Sequence, residues 1–255
     1  MLFMGVFGIL LIAYLLFLEP RFERKEMRNL ISDYQSDTPV RLKLYKSAFY
    51  RTWILGLVVL FAILIAGTPL EKIGFRPITF TAFTHLPFLL KLALGIFLIW
   101  YFTYFYLFAT IGARIFSRFK PYLLSKMKPV ENVTPRTKQE YIWWIANALS
   151  SAIEEFIFRG FIFYYFLLLL PQTPLRIIGI ISILLESIRY FPRYAAMKYV
   201  ATNGLVFTLA FLFFNSVFAA MIVHVIYDLR TLAVPFHWLR KKERVAQTVT
   251  IQNHS

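Results

Sequence analysis

The stretch Ser150–Leu170, SSAIEEFIFRGFIFYYFLLLL, sets two adjacent glutamates and an arginine in a run otherwise suited to lipid. A charged side chain at the centre of a membrane helix costs about 2.5–3.5 kcal/mol on insertion scales. Glu154, Glu155 and Arg159 are therefore expected to face a bundle interior or a wet cavity rather than acyl chains. Glu155 and Arg159 lie four residues apart, so they can pair on one helix face. Glu154 points about 100° away and is expected to be free for another task.

The surrounding chain has the same character. Of its 255 residues, 59% are hydrophobic, with 28 Phe and 15 Tyr, and the mean hydropathy is +0.62. A soluble domain of this length cannot bury so much apolar surface. Seven apolar segments, at about 1–18, 52–68, 87–112, 140–170, 175–191, 199–213 and 216–235, predict an all-α, polytopic integral membrane protein with about seven transmembrane helices. The first segment lacks a basic leader and an Ala-x-Ala site, and reads as a retained span of about 27 Å. The fourth is too long for one straight span. It is expected to begin at the interface, in QEYIWWIANALSS, and to break or tilt near Arg159–Gly160.

Charge sets the orientation. The net charge of +15 comes from arginines and lysines that cluster between alternate apolar segments, with no groove-like basic cluster interleaved with aromatics. This is a topology signal, and nucleic acid is not expected as a partner. It places the N-terminus outside and the C-terminus in the cytoplasm. Trp53, Trp143, Trp144 and Trp238 fall near the expected span ends, as an aromatic belt requires. The chain has no cysteine, which excludes disulfides, thiolate metal sites and a catalytic thiolate.

Of 13 acidic residues, nine fall in loops, interfacial starts or the tail, and Glu154, Glu155, Glu186 and Asp228 fall within spans. Arg159 and Arg189 are the basic residues among them, and His224 is the histidine of a late span. Glu186 has Arg189 and Tyr190 three and four residues on, and His224 has Asp228 four on, so each set shares a helix face. Taken singly, Glu155–Arg159 reads more readily as a structural ion pair than as catalysis, and His224–Asp228 reads equally as interhelical glue. Asn147 and Asn215 read as helix-contact or cap residues, and His85, His237 and His254 as loop or tail residues. Taken jointly, the pattern predicts one cavity shared by carboxylates, an imidazole and a guanidinium.

The motif EEFIFRG (154–160) resembles the EExxxR signature of the CAAX-processing and bacteriocin-processing (CPBP) intramembrane proteases, the glutamate-type group that includes the Rce1-like CAAX endopeptidases. Downstream, NSVFAAMIVHVIYD (215–228) is similar to that family's last motif, HxxxN or HxxxD. The resemblance covers roughly residues 140–232. It implies that Glu154 polarises a water for attack on a peptide carbonyl, and that Glu155 and Arg159 hold the helix and tune that carboxylate. It further implies that His224, with Asp228 where the family often has Asn, stabilises the oxyanion. Asp228 fits that role if it is protonated or if it orients His224.

The departure lies between the two motifs. The family carries FxxxH on the intervening span, and aligning ISILLESIRYF puts Glu186 at the Phe position and Tyr190 at the His position. No histidine occurs between Arg159 and His224. Either Tyr190 or Glu186 substitutes, or the register differs, or the chain has given up hydrolysis.

Two other classes weigh less. A metalloprotease wants HExxH-like ligation, leaving at most a zinc site from Glu154, Glu186, His224 and Asp228. A carrier usually shows related halves, and none is seen. The reading is an intramembrane endopeptidase without cofactor, acting on a hydrophobic or membrane-anchored peptide, in a bacterial inner membrane. Its layout is N-terminal helices and basic cytoplasmic loops (1–139), a CPBP-like core (140–235) and a basic cytoplasmic tail (236–255). The competing reading is an inactive relative that binds a membrane partner in the same cavity.

Overall fold

A computed structural model describes residues 2–32, 39–79, 87–89, 96, 135, 137–191 and 193–229. Most of the third apolar segment, His85, Trp238 and the tail lie outside the described residues. Those described are helical, with no strand among them. In chain order they form α1 (Leu2–Ala13), a π-helical stretch Tyr14–Leu18, α2 (Glu19–Ser32), α3 (Pro39–Ile65) and a 3-10 turn Leu70–Ile73. Then come α4 (Lys138–Glu155), a second π-helical stretch Phe156–Ile162, α5 (Phe163–Leu169), α6 (Leu175–Ile188), α7 (Tyr194–Phe214) and α8 (Val217–Leu229).

Among the described residues three helices are long and apolar enough to cross a membrane: Leu2–Lys25, Val40–Ile65 and Tyr194–Phe214. Val217–Leu229 is a shorter apolar helix. The described residues are thus all helical and consistent with a membrane protein. Leu2, Ile9 and Leu10 of α1, and Phe61, Leu64 and Ile65 of α3, are exposed, as lipid-facing surfaces should be.

The expected break at Arg159–Gly160 is absent. Helix runs from Lys138 to Leu169, widened to π geometry over Phe156–Ile162, every residue of which is buried. A π turn inserts an extra residue and re-aims the side chains without ending the helix. Widening strands carbonyls, and Ser182 Oγ donates to that of Phe158 at 2.9 Å. Gly160 permits the packing: a Cβ there would stand 3.0 Å from Ile73 Cγ2 and 3.2 Å from its carbonyl oxygen. Phe156, Phe158, Phe161 and Ile162 form one core with Met4, Leu11 and Leu15 of the N-terminal helix, Val59 and Ile63 of α3, and Leu185 of α6.

Local signals fix the ends. Thr137 caps α4 through a reciprocal box with Glu140, in bonds of 3.2 and 3.1 Å. Glu140 Oε1 also accepts from Arg41 Nε of α3 at 3.1 Å. Asn147 Nδ2 donates to the carbonyls of Tyr45 and Trp143, both at 2.8 Å, a helix contact as expected. Asn215 ends α7 in left-handed backbone at φ 47°, a cap as expected. The tryptophans do more than line an interface. Trp53 Nε1 donates to Ser150 Oγ at 3.0 Å, and Trp144 turns to an internal cavity. With α3 and α8 against α4, and α7 against both α6 and α8, the walls of that cavity are set.

Candidate active site

Arg159 projects from the π stretch into a pocket where it is fully buried. Its Nη1 lies 3.1 Å from Glu155 Oε1 and its Nη2 lies 2.7 Å from Glu186 Oε2. Nη2 also donates to the carbonyl of Gly204 at 2.8 Å, and Nε donates to Thr208 Oγ1 at 3.3 Å. The guanidinium sits 5.7 Å from the Phe207 ring centroid. One arginine thereby binds α4, α6 and α7 together. Gly204 is required by this approach, because a Cβ there would stand 2.9 Å from both Arg159 Nη2 and Glu186 Oε2. A buried guanidinium is tolerable only when its charge is matched and its donors are used, and here both conditions are met.

His224 of α8 joins the same knot. Its Nδ1 lies 2.7 Å from Glu155 Oε1, the oxygen that also accepts from Arg159. Its ring stacks on Phe207 with centroids 4.1 Å apart and planes 22° from parallel. Its Nε2 is 3.6 Å from Asp228 Oδ2, beyond hydrogen-bond range, so that nitrogen remains available. Phe207 in turn meets the edge of Tyr227, whose hydroxyl bonds to Asn203 Nδ2 at 2.7 Å and to the Tyr199 hydroxyl.

Beside the knot lies a cavity of ≈280 Å³. Glu154, Glu186, Tyr190, His224 and Asp228 all line it, so these expected site residues do share one space. Glu155 and Arg159 stand behind its wall. Glu154 is not free, however. Its Oε2 accepts from Arg189 Nη2 at 2.8 Å, because the carboxylate that points away from Arg159 faces the end of α6. Glu186 and Arg189, which share a helix face, do not pair with each other: Glu186 turns to Arg159, and Arg189 reaches across to Glu154. Same-helix spacing allowed Glu186–Arg189, but packing placed a stronger partner opposite each.

The Glu154–Arg189 pair has one contact per group. Glu154 Oε1 has no protein hydrogen-bond partner among the described residues and is open to the cavity. Arg189 Nε is buried without a partner, and its guanidinium lies 5.6 Å from the Phe158 ring and 5.2 Å from the Tyr190 ring. Tyr190 also lies beneath Arg193, whose guanidinium is 5.4 Å from the Tyr190 ring centroid. Among the described residues no group of three His, Asp or Glu side chains is arranged to hold a metal ion.

Residues 137–230 match the family model described as Rce1-like, the type II CAAX prenyl endopeptidase Rce1-like family. This segment is thus similar to a CPBP-type, Rce1-like core. The match embraces the Glu154, Glu155, Arg159, Glu186, Arg189, His224 and Asp228 cluster just described. No curated protein and no solved structure matches the chain.

The sequence reading missed two contributions. Glu19 and Glu23, placed just after the first span as interfacial residues, line the cavity from α2. Glu19 is buried, accepts from the Tyr14 hydroxyl at 2.9 Å and pairs with Arg51 at 3.1 Å. The second is the α7 face Asn203–Gly204–Phe207–Thr208, which holds Arg159 and His224. Its signal was faint: Asn203, Gly204 and Thr208 are small or polar residues within a turn and a half of an apolar helix, a pattern that in membranes marks close packing.

Proposed function

We propose that this protein is an intramembrane endopeptidase that hydrolyses a peptide bond in a hydrophobic or membrane-anchored substrate, with Glu154 activating the water. The observation that carries this reading is the state of Glu154: one oxygen held by Arg189, the other open in a cavity shared with His224. A base must reach its water, and Glu154 Oε1 alone among the EExxxR residues is presented to the cavity. Glu155 and Arg159 act behind it as positioning residues. His224 Nδ1 bonds to Glu155 at 2.7 Å, and as an imidazolium His224 both donates to Glu155 and presents Nε2–H to the developing oxyanion. Asp228, at 3.6 Å, orients that imidazole.

Of the two candidates for the absent histidine, Glu186 is bound into the Arg159 knot, and Tyr190 lines the cavity. Tyr190 therefore suits the part better, as a donor to water or carbonyl. A prenylated CAAX-type peptide is the substrate class the family suggests. The proposed setting is a bacterial inner membrane with the C-terminus in the cytoplasm, the core of 140–235 preceded by cytoplasmic basic loops. The test is cleavage of a fluorescent farnesylated CAAX peptide by purified protein in lipid vesicles, with a chelator present. Wild type should cleave and Glu154→Gln should not; equal rates from both would reject Glu154 as the base.

A second reading is favoured by a specific observation. Glu154, Glu155 and Glu186 are all ion-paired, and no histidine stands on α6. A relative that kept the cavity for binding a membrane partner and lost hydrolysis would look similar. It would retain its partner in Glu154→Gln and cleave nothing in either form.

A further inference from the structure

The chain departs from its family's pattern at two places that supply protons or donors: the histidine of the second motif is absent, and Asp228 stands where Asn is frequent. An ionised Asp accepts hydrogen bonds and cannot donate one. His224 donates from Nε2 only while that nitrogen carries a proton, and Nδ1 is already turned to Glu155. Among the motif residues the oxyanion is left with the Tyr190 hydroxyl and, when both its nitrogens are protonated, His224 as donors, and neither brings the fixed charge of a guanidinium.

Arg189 is positioned to supply one. Its guanidinium is at the cavity wall, 2.8 Å from Glu154 through Nη2. Nη1 has no protein hydrogen-bond partner among the described residues and is not sealed off as Nε is. The plane is held between the rings of Phe158 and Tyr190, so it needs little reorganisation to receive a charge. A guanidinium bound to Glu154 by one nitrogen sets a carboxylate oxygen and a cationic N–H side by side, facing one space. That is the arrangement hydrolysis of an amide needs: an acceptor for the water proton next to a donor for the carbonyl oxygen.

We infer that Arg189 is a catalytic residue of this site, donating from its free Nη1 to the oxyanion in place of the Asn-type donor. The inference rests on the endopeptidase reading above. The water oxygen bonds to the carbonyl carbon as its proton passes to Glu154 Oε1, and the carbonyl π pair moves onto oxygen, where Arg189 holds it. On collapse the C=O bond re-forms, the C–N bond breaks, and Glu154 returns the proton to the leaving nitrogen. The products are a carboxylic acid and an amine, with no other reactant consumed.

Arg189 also neutralises Glu154, so loss of activity in a variant would not alone distinguish catalysis from support. The experiment is steady-state cleavage of the farnesylated CAAX peptide, and of an unprenylated single-span peptide, in vesicles. It compares wild type, Glu154→Gln, Arg189→Lys and Arg189→Ala, the last with and without added guanidinium ion. Arg189→Ala should lose about 10²–10³ in kcat, the typical worth of one oxyanion donor, with KM little changed. Its rate should rise with guanidinium concentration, whereas guanidinium should not rescue Glu154→Gln. Arg189→Lys keeps the charge but not the paired donors, and should recover only part of the loss. Wild-type cleavage with Arg189→Ala at an equal kcat, or a loss that guanidinium leaves unchanged, overturns this assignment and leaves the endopeptidase reading standing. Absence of cleavage by the wild type on both peptides overturns both.

Discussion

Glu155 and Glu154 are neighbours in sequence, each is paired with an arginine, and their situations are opposite. Glu155 is fully buried, and Arg159 and His224 converge on its single paired oxygen. Glu154 keeps 21% of its side chain exposed and leaves one oxygen to the cavity. The difference arises from one residue of helical rotation, about 100°, which sends one carboxylate into the interhelical seam and the other to the edge of open space. The Arg159 knot is a device for holding α4, α6, α7 and α8 together, with Glu155 Oε2 and Glu186 Oε2 buried and without hydrogen-bond partners, and the Glu154–Arg189 pair is a second device at the edge of the cavity.

Removing the centre of the knot should have the largest effect. Arg159→Ala strands Glu155 and Glu186 without a counter-charge, and breaking a buried pair in this way costs about 3–5 kcal/mol. The variant is expected to show a large fall in the unfolding midpoint in detergent, with cleavage falling alongside. Glu154→Gln touches the other device. It should lower cleavage by about 10²–10⁴, the usual contribution of a positioned base, while the unfolding midpoint moves little. Gly204→Ala forces a methyl against Arg159 and Glu186, and overpacking of this sort costs about 1–3 kcal/mol, readable as a lower midpoint. The smallest effect should come from Thr208→Val, which removes one hydrogen bond to Arg159 Nε and should cost about 1 kcal/mol with cleavage nearly retained.

The same comparison explains what could be read from the sequence. Pairing within a helix was legible, because residues four apart share a face: Glu155–Arg159 forms as the spacing predicts. Pairing between helices was not, because periodicity carries no information about which helix lies opposite. That is why Glu154 was expected to be free, and why the partners of Glu186 and Arg189 on other helices could not be named. The long fourth segment was visible as an anomaly, and the π widening that resolves it depends on packing against Ile73 and Ser182, residues far away in sequence. One local signal lay in view: Thr137-Lys-Gln-Glu140 has the spacing of a capping box and sets the start of α4 at Lys138 rather than 140. The N-terminal carboxylates Glu19 and Glu23 could not be assigned to the cavity, since a charge following an apolar run reads as an interfacial residue until the fold brings it inward.

The most direct measurement sets the two glutamates against each other in one preparation. Glu154→Gln and Glu155→Gln would be purified in the same lipid, and both cleavage of the farnesylated peptide and the thermal unfolding midpoint would be recorded. The account predicts that Glu154→Gln loses cleavage and keeps the wild-type midpoint, whereas Glu155→Gln lowers the midpoint. Wild-type cleavage by Glu154→Gln, or a midpoint unmoved in Glu155→Gln, would contradict the division of labour between the closed knot and the open pair.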